Sequence, residues 1–194
     1  MKIQPLGAPL PPPPNAGNPY LFLMSGLPGS GKSTAATMLE ARYRAIVLTL
    51  DQILVPLFGA EHLMREPALR LQRVNAARGS LWRIARQILS RDISVILDDG
   101  FFTRNARHNA ITSCQPDEST GIICLPFIVF CDAPLTILAS RLTSRNKTLP
   151  PYCHLITPEF CGACAELFEP PVQGEGNVVI FRHEKESQGR PWGD

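Results

Sequence analysis

The run Gly26-Leu27-Pro28-Gly29-Ser30-Gly31-Lys32-Ser33-Thr34 constrains this chain more than any other feature. Glycines at these positions let the backbone adopt turns that a Cβ would forbid, so successive amides can point inward around a phosphate. In the spacing Gly-x4-Gly-Lys-Ser, the lysine reaches the β- and γ-phosphates and the hydroxyl of Ser33 serves Mg²⁺. The context fits. Tyr20 to Ser25 is an apolar run that reads as a strand, and Ser33 to Tyr43 places Ala35, Ala36, Met38 and Leu39 at helical spacing. A helix beginning near Lys32 adds its positive end to the same spot. The lysines are only Lys2, Lys32, Lys147 and Lys185, so an incidental surface lysine explains Lys32 poorly. A bare glycine turn leaves the Lys-Ser pair unexplained. Gly26, Pro28, Gly29, Ser30, Gly31, Lys32, Ser33 and Thr34 are therefore the expected nucleotide-holding residues, with ATP and Mg²⁺ as the expected cofactors.

The chain has 194 residues, enough for one α/β domain with a full core. A net charge of +2 argues neither for nor against a nucleic-acid partner, and no apolar run is long enough to cross a membrane. Residues 1–18 carry Pro5, Pro9 and Pro11 to Pro14. Proline supplies no amide donor and favours extended chain, so this stretch is expected to be a disordered leader, with a ligand for a proline-reading domain as the alternative. The domain is expected over residues 19–183 and a flexible tail over 184–194. Six cysteines without a secretory signal point to free thiols in a reducing compartment, and a cytoplasmic location is expected.

Four more apolar runs read as strands: Ala45 to Leu50, Ile93 to Leu97, a segment within Ile122 to Cys131, and Asn177 to Phe181. Between them, about Pro67 to Arg91 repeats Val74, Ala77, Leu81, Ile84, Ala85 and Ile88 in steps of three and four, a helix with one buried face. Its arginines, Arg78 among them, read as a solvated face. Further helices are expected from an N-cap at Thr103 and over Leu135 to Asn146. Strands alternating with helices imply a parallel sheet covered on both faces.

Three sets of residues speak to chemistry. Asp51 follows the second strand, where it would share the crevice of the glycine loop and accept the proton of an attacking hydroxyl. Its competing reading is a helix N-cap. Asp98 and Asp99 close the third strand, and one of them would hold Mg²⁺ with Ser33; alternation favours Asp98. Arginines come last. Arg104 and Arg107 follow the acidic pair as candidate substrate contacts. Arg141 and Arg145 lie one turn apart, suited to close over ATP and to stabilise charge on a phosphoryl group in flight, with Lys32 and Asp51 completing the catalytic set.

Together Gly26 to Thr34, Leu48-Thr49-Leu50-Asp51, Val95 to Arg104, Asp132-Ala133-Pro134 and Arg141 to Asn146 resemble the small P-loop kinases that group with polynucleotide kinase, zeta toxin and chloramphenicol phosphotransferase. The tail Ile156 to Phe160, with Leu167 to Pro171, looks like the C-terminal signature of predicted kinases in that group. The resemblance covers residues 20 to 182. It implies a three-layer α/β P-loop fold, a five-stranded parallel sheet in the order 2-3-1-4-5, and a helical lid carrying Arg141 or Arg145. It further implies transfer of the γ-phosphate of ATP to the hydroxyl of a small molecule or nucleic-acid end. Gln52 stands where polynucleotide kinase has a second aspartate, so a nucleic-acid acceptor is only one option.

Other readings compete. Asn146-Lys147-Thr148-Leu149 has half of a guanine reader and lacks its aspartate. A mechanical AAA-type ATPase would bring a larger chain with sensor elements. A nucleotide-dependent switch or binding protein with no transferred phosphate would use the same loop and would not need Asp51; a simple ATPase without an acceptor is a further alternative. Cys161 and Cys164 lie one turn apart on a helix capped by Thr157-Pro158-Glu159, and read as packing residues before metal ligands. Trp82 reads as packing, while Phe101 and Phe102 are open between packing and stacking on a substrate ring.

Overall fold

The computed structural model describes residues 3–7, 9–13, 18–60, 67–114 and 124–183. At its centre is β2 (Tyr20–Ser25), where each residue is buried. Its side chains alternate across the sheet. Tyr20, Phe22 and Met24 pack with Ala35, Ala36 and Leu39 of α1 (Lys32–Tyr43), whereas Leu21 and Leu23 pack on the other face with Ala85 and Leu89. A strand apolar on both faces needs a helical layer on each, and this gives the three-layer architecture.

The parallel neighbours of β2 are β4 (Val95–Gly100) on one side and β5 (Leu125–Asp132) on the other. Beyond them lie β3 (Ile46–Thr49) and β6 (Asn177–His183), also parallel. Numbered among themselves, these five strands run 2-3-1-4-5 across the sheet, the expected order. The fourth expected strand lies within its window and runs one residue beyond it, to Asp132; Ile122 and Ile123 lie outside the described residues.

A sixth strand corrects the reading of the leader. β1 (Ile3–Gly7) pairs antiparallel with β6, from Ile3 opposite His183 to Gly7 opposite Val179. The proline run that follows is tied down as well. The hydroxyl of Tyr20 donates to the carbonyl of Pro12 at 2.9 Å, and that of Tyr43 to Pro11 at 2.7 Å, with Leu10 packed against the core. Proline lacks a donor but keeps its carbonyl, and a sheet edge tolerates Pro5. The expected tail, 184–194, lies outside the described residues.

The remaining helices are α2 (Asp51–Phe58), α3 (Pro67–Leu89), α4 (Arg104–Thr112), α5 (Leu135–Lys147) and α6 (Pro158–Leu167). Both expected caps form: Thr103 accepts from the amide of Ala106, and Thr157 from that of Phe160. α2 entered the sequence reading only as the helix that Asp51 would cap; its N-cap is instead Leu50, and Asp51 lies in its first turn. The helix packs Leu54 and Leu50 against Ala77 and Leu81 of α3 in a satellite cluster beside the sheet. An irregular strap, residues 148–157, joins α5 to α6. Among the described residues no helix is long and apolar enough to cross a membrane.

The Tyr43 hydroxyl gives a direct test of the docked leader. Tyr43→Phe, made in an Arg42→Ala background because Arg42 Nε also donates to this hydroxyl at 3.2 Å, keeps the ring packing and removes the bond to Pro11. It should lower the unfolding free energy by about 1 kcal/mol in urea titration, and a structureless leader would leave it unchanged.

Candidate functional site

All five parallel strands end on one side, and a cleft of about 1500 Å³ opens there. The glycine loop forms its floor. Gly26, Gly29 and Gly31 have φ of 144°, 80° and 99°, conformations that side chains rarely adopt. At Gly26 a Cβ would lie 2.6 Å from the carbonyl oxygen of Cys131 and 2.7 Å from Ser30 Oγ. The loop is therefore folded as tightly as a phosphate cradle requires. Lys32 Nζ lies across it, donating to the carbonyls of Gly26 and Leu27 at 2.9 and 3.0 Å. Ser30 Oγ is buried with no hydrogen-bond partner, a polar atom that an anion in the cradle would satisfy.

Ser33 and Asp98 meet beside the loop, Ser33 Oγ donating to Asp98 Oδ2 at 3.2 Å. Burial pushes the Asp98 carboxyl above its ordinary value, against the pull of Lys32 and the Ser33 hydrogen bond, with Asp51 and Asp99 adding to the rise. No group of three or more His, Cys, Asp or Glu side chains forms a metal cage among the described residues. One hydroxyl and one carboxylate oxygen instead fit Mg²⁺, which is bound through few protein oxygens, substrate phosphates and water. Asp99 is differently placed. Its carboxylate is gripped bidentately by Arg78 of α3, through Nε and, at 2.9 Å, Nη2. Burial pushes Asp99 up and Arg78 opposes it. Arg78 therefore does not belong to a solvated face, since a carboxylate at the strand edge draws its guanidinium inward.

Asp51 opens α2 in its first turn and lines the cleft with a side chain 42% exposed. Its Oδ2 lies 3.6 Å from Nδ1 of His154, which the strap carries. Arg145 donates from Nη2 to the His154 carbonyl at 3.3 Å, and its buried Nε has no partner. Arg141 donates from Nη1 to the carbonyl of Gly29 at 3.2 Å, so α5 reaches the loop directly. Arg70, Arg78, Phe102 and Trp82 line the far part of the cleft. Phe102 is also packed edge-on against Phe168, and Trp82 against the core.

The second arginine pair is not brought to the cleft. Arg107 is fully buried as a structural hub: Nε and Nη2 grip Glu175 at 2.7 and 3.0 Å, and Nη1 donates to the carbonyls of Phe101, Phe102 and Glu169. Its guanidinium is spent on fixing the turn after the acidic pair, which leaves nothing for a substrate. Arg104 is exposed and lies 3.5 Å from Glu175, away from the cleft lining. Cys161 and Cys164 are free thiols on α6, as are the other four cysteines. Arg70 and His154 are cleft residues to which sequence reading gave no site role, and Arg78 is one that it left on a solvated helix face. A lone histidine in a proline-rich strap and arginines in an arginine-rich helix carry no spacing signal.

Two variants test these placements. Arg107→Met should cost about 3–5 kcal/mol of stability by leaving Glu175 buried without its partner. Glu175 resists burial and is held below the usual carboxylate range by Arg107, so this pair stabilises above the ordinary glutamate value. In wild type that contribution is lost as pH falls through the depressed value, and Arg107→Met should flatten this acid limb of the Tm profile. Asp98 has the opposite sign. Its raised carboxyl costs stability once it is ionised, so Asp98→Asn should raise Tm at neutral pH without nucleotide while weakening Mg²⁺-dependent ADP binding.

Comparison with known proteins places this geometry. Residues 21–151 match the family model described as AAA domain, which covers the loop, the acidic pair and both α5 arginines. No curated protein sequence matches the chain. Among solved structures, a putative kinase from Chloroflexus aurantiacus J-10-fl superposes with a TM-score of 0.63 at 19% identity, covering 85% of this chain and 88% of that one. Kti12 from Chaetomium thermophilum, solved with ADP-AlF3, gives 0.62 at 14% identity over 86% and 91% of the two chains. A gluconokinase from Sinorhizobium meliloti 1021 gives 0.55 at 15% over 87% and 85%. At these identities the likeness shows the fold. With a family match spanning the strand-loop-helix core and a sheet in kinase order, the chain belongs to the AAA domain family as a P-loop kinase-like protein.

Proposed function

We propose that the chain is an ATP-dependent phosphotransferase that moves the γ-phosphate of ATP to a hydroxyl of a small molecule or nucleic-acid end. The observation that carries this reading is the position of Asp51. It is a half-exposed carboxylate that lines the same cleft as the glycine loop, Ser33 and Asp98. A nucleotide-dependent switch has no use for a carboxylate there, whereas a base in that cleft serves a nucleophile, an acceptor hydroxyl or, in an ATPase, water. The kinase names of two of the solved neighbours support the reading.

In this reading the loop amides and Lys32 hold the β- and γ-phosphates, with Lys32 exchanging its two carbonyl bonds for phosphate oxygens. Mg²⁺, when bound beside Ser33 and Asp98, supplies charge neutralisation on the phosphates. Arg141 and Arg145 face the transferring group from α5, where planar guanidinium groups stabilise charge spread over its oxygens. Asp51 accepts the proton of the acceptor hydroxyl as the new O–P bond forms and the bond to ADP breaks. The acceptor lies towards Arg70, Arg78, Trp82 and Phe102. Six free thiols suit the reducing cytoplasm.

A transfer screen from labelled ATP against pooled sugars, nucleosides, oligonucleotides and antibiotics tests this. Labelled acceptor should appear with wild type and be absent with Lys32→Ala. Asp51→Ala should lose about a hundredfold or more of transfer while still binding ATP. Tight ATP binding with free phosphate as the only product for each pool would favour the switch or ATPase reading.

A further inference from the structure

The strap between α5 and α6 is built into the site rather than draped over it. Asn146 clamps it at Ile156, donating from Nδ2 to the carbonyl at 2.8 Å and accepting from the amide at 3.3 Å. Arg145 holds the His154 carbonyl, and the His154 ring stands edge-on to Phe160 with centroids 6.0 Å apart. Phe160 is in turn covered by the Arg70 guanidinium at 4.9 Å. The imidazole thus packs on Phe160 of α6, with its Nδ1 3.6 Å from Oδ2 of Asp51 of α2. That Nδ1 is buried and satisfied by no hydrogen bond, and Asp51 Oδ2 at 3.6 Å stands just beyond hydrogen-bonding reach. A buried polar nitrogen without a partner, aimed at a carboxylate a small rotation away, calls for a reason.

We propose that His154 is the positioning residue for Asp51, its Nδ1–H holding one carboxylate oxygen so that the other faces the acceptor hydroxyl. This inference rests on the phosphotransfer reading above. The proton of the acceptor hydroxyl passes to the free oxygen of Asp51 and on to solvent, the acceptor oxygen gains the γ-phosphoryl group, and ADP leaves. His154 keeps its own proton throughout and acts only through Asp51.

The charged groups facing the ring fit this role. Burial holds the imidazole below its ordinary value, against the pull of Asp51 and with the help of Arg145 and Arg70. The ring is therefore uncharged at neutral pH and has a single N–H to offer, which at Nδ1 faces the carboxylate at 3.6 Å. A cation in the same place would bind Asp51 as an ion pair and compete for the oxygen that takes the proton. As pH falls through the depressed value, His154 gains that charge and transfer should decline.

Two measurements test the pair. In the full-length protein with labelled histidine, the His154 imidazole is followed by NMR against pH, its signal identified among the four histidines by its loss in His154→Asn. It should titrate below about 6.5, and lower still in Asp51→Asn, which removes the one group that raises it. An unchanged midpoint in Asp51→Asn overturns the pairing. Transfer to the acceptor recovered from the pooled screen is the second readout. His154→Phe should lose about tenfold or more in kcat with KM for ATP unchanged, whereas His154→Asn, which retains an N–H near the Nδ1 position, should recover most of it and lose the acid limb. Equal losses in both variants, or an acid limb unmoved in His154→Asn, overturn the positioning role. ADP binding by each variant reports folding, and if a variant fails it the titration still decides. If no acceptor is phosphorylated at all, the phosphotransfer reading falls while the titration continues to report on the pair.

Discussion

The burial of β2 on both faces is the constraint from which the site follows. A strand sealed between β4 and β5, under α1 on one side and α3 on the other, has one exit for its chain, at the edge where the parallel strands end. The glycine loop must turn there and pass immediately into α1, so its amides and the positive end of the helix converge on one point. The same edge receives the ends of β3 and β4, stitched by the amide of Gly26 on the carbonyl of Gly100 and that of Leu50 on Asp98. Those bonds set Asp51, Asp98 and the loop around a single cleft without any contact among their side chains being needed.

A parallel sheet edge crowded with carboxylates has to be neutralised, and the chain does so with two arginines, the half-exposed Arg78 and the buried Arg107. Arg78 takes Asp99, while Arg107 takes Glu175 and three carbonyls behind the turn. That turn is under stress: Phe101 has φ 37° directly after Gly100 at 83°, and a Cβ at Gly100 would meet the Phe102 ring at 2.7 Å. A non-glycine residue there costs of the order of 1–3 kcal/mol and persists because Ser25 and Arg107 both donate to the Phe101 carbonyl. The carboxylates that remain are thereby sorted: Asp99 is locked, Asp98 lies against Ser33, and Asp51 stays half open.

Charge and hydrogen bonding separate the two ends of the cleft. At the phosphate end, Lys32, Arg141 and an unsatisfied Ser30 hydroxyl face inward. At the other, the strap from α5 to α6 sets an imidazole beside Asp51, with Arg70 stacked on Phe160 behind it. The strap lacks regular structure, yet Asn146 and Arg145 fix its backbone from the last turns of α5. Loop chemistry of this kind is held by a helix end rather than by its own hydrogen bonds.

How much was legible follows from what each feature depends on. The glycine loop, the alternation of strands and helices, the caps at Thr103 and Thr157 and the acidic pair depend on local conformation and spacing, so the linear sequence carries them. The strand at Ile3–Gly7 was hidden because the prolines after it suggested solvated chain, and pairing with β6 joins residues far apart in sequence. α2 was legible only through the N-cap reading of Asp51 for a related reason: its eight residues include Pro56, and its stability comes from Leu50 and Leu54 packing on α3. By itself, then, the sequence determined that a phosphate cradle sits at the exit of a buried strand. Only the tertiary structure decided which charges serve it, sending Arg107 to the core, Arg78 to Asp99 and His154 to Asp51. The physical reason is that a side chain's partner depends on burial and on elements brought together from distant parts of the chain, and neither is written in local spacing.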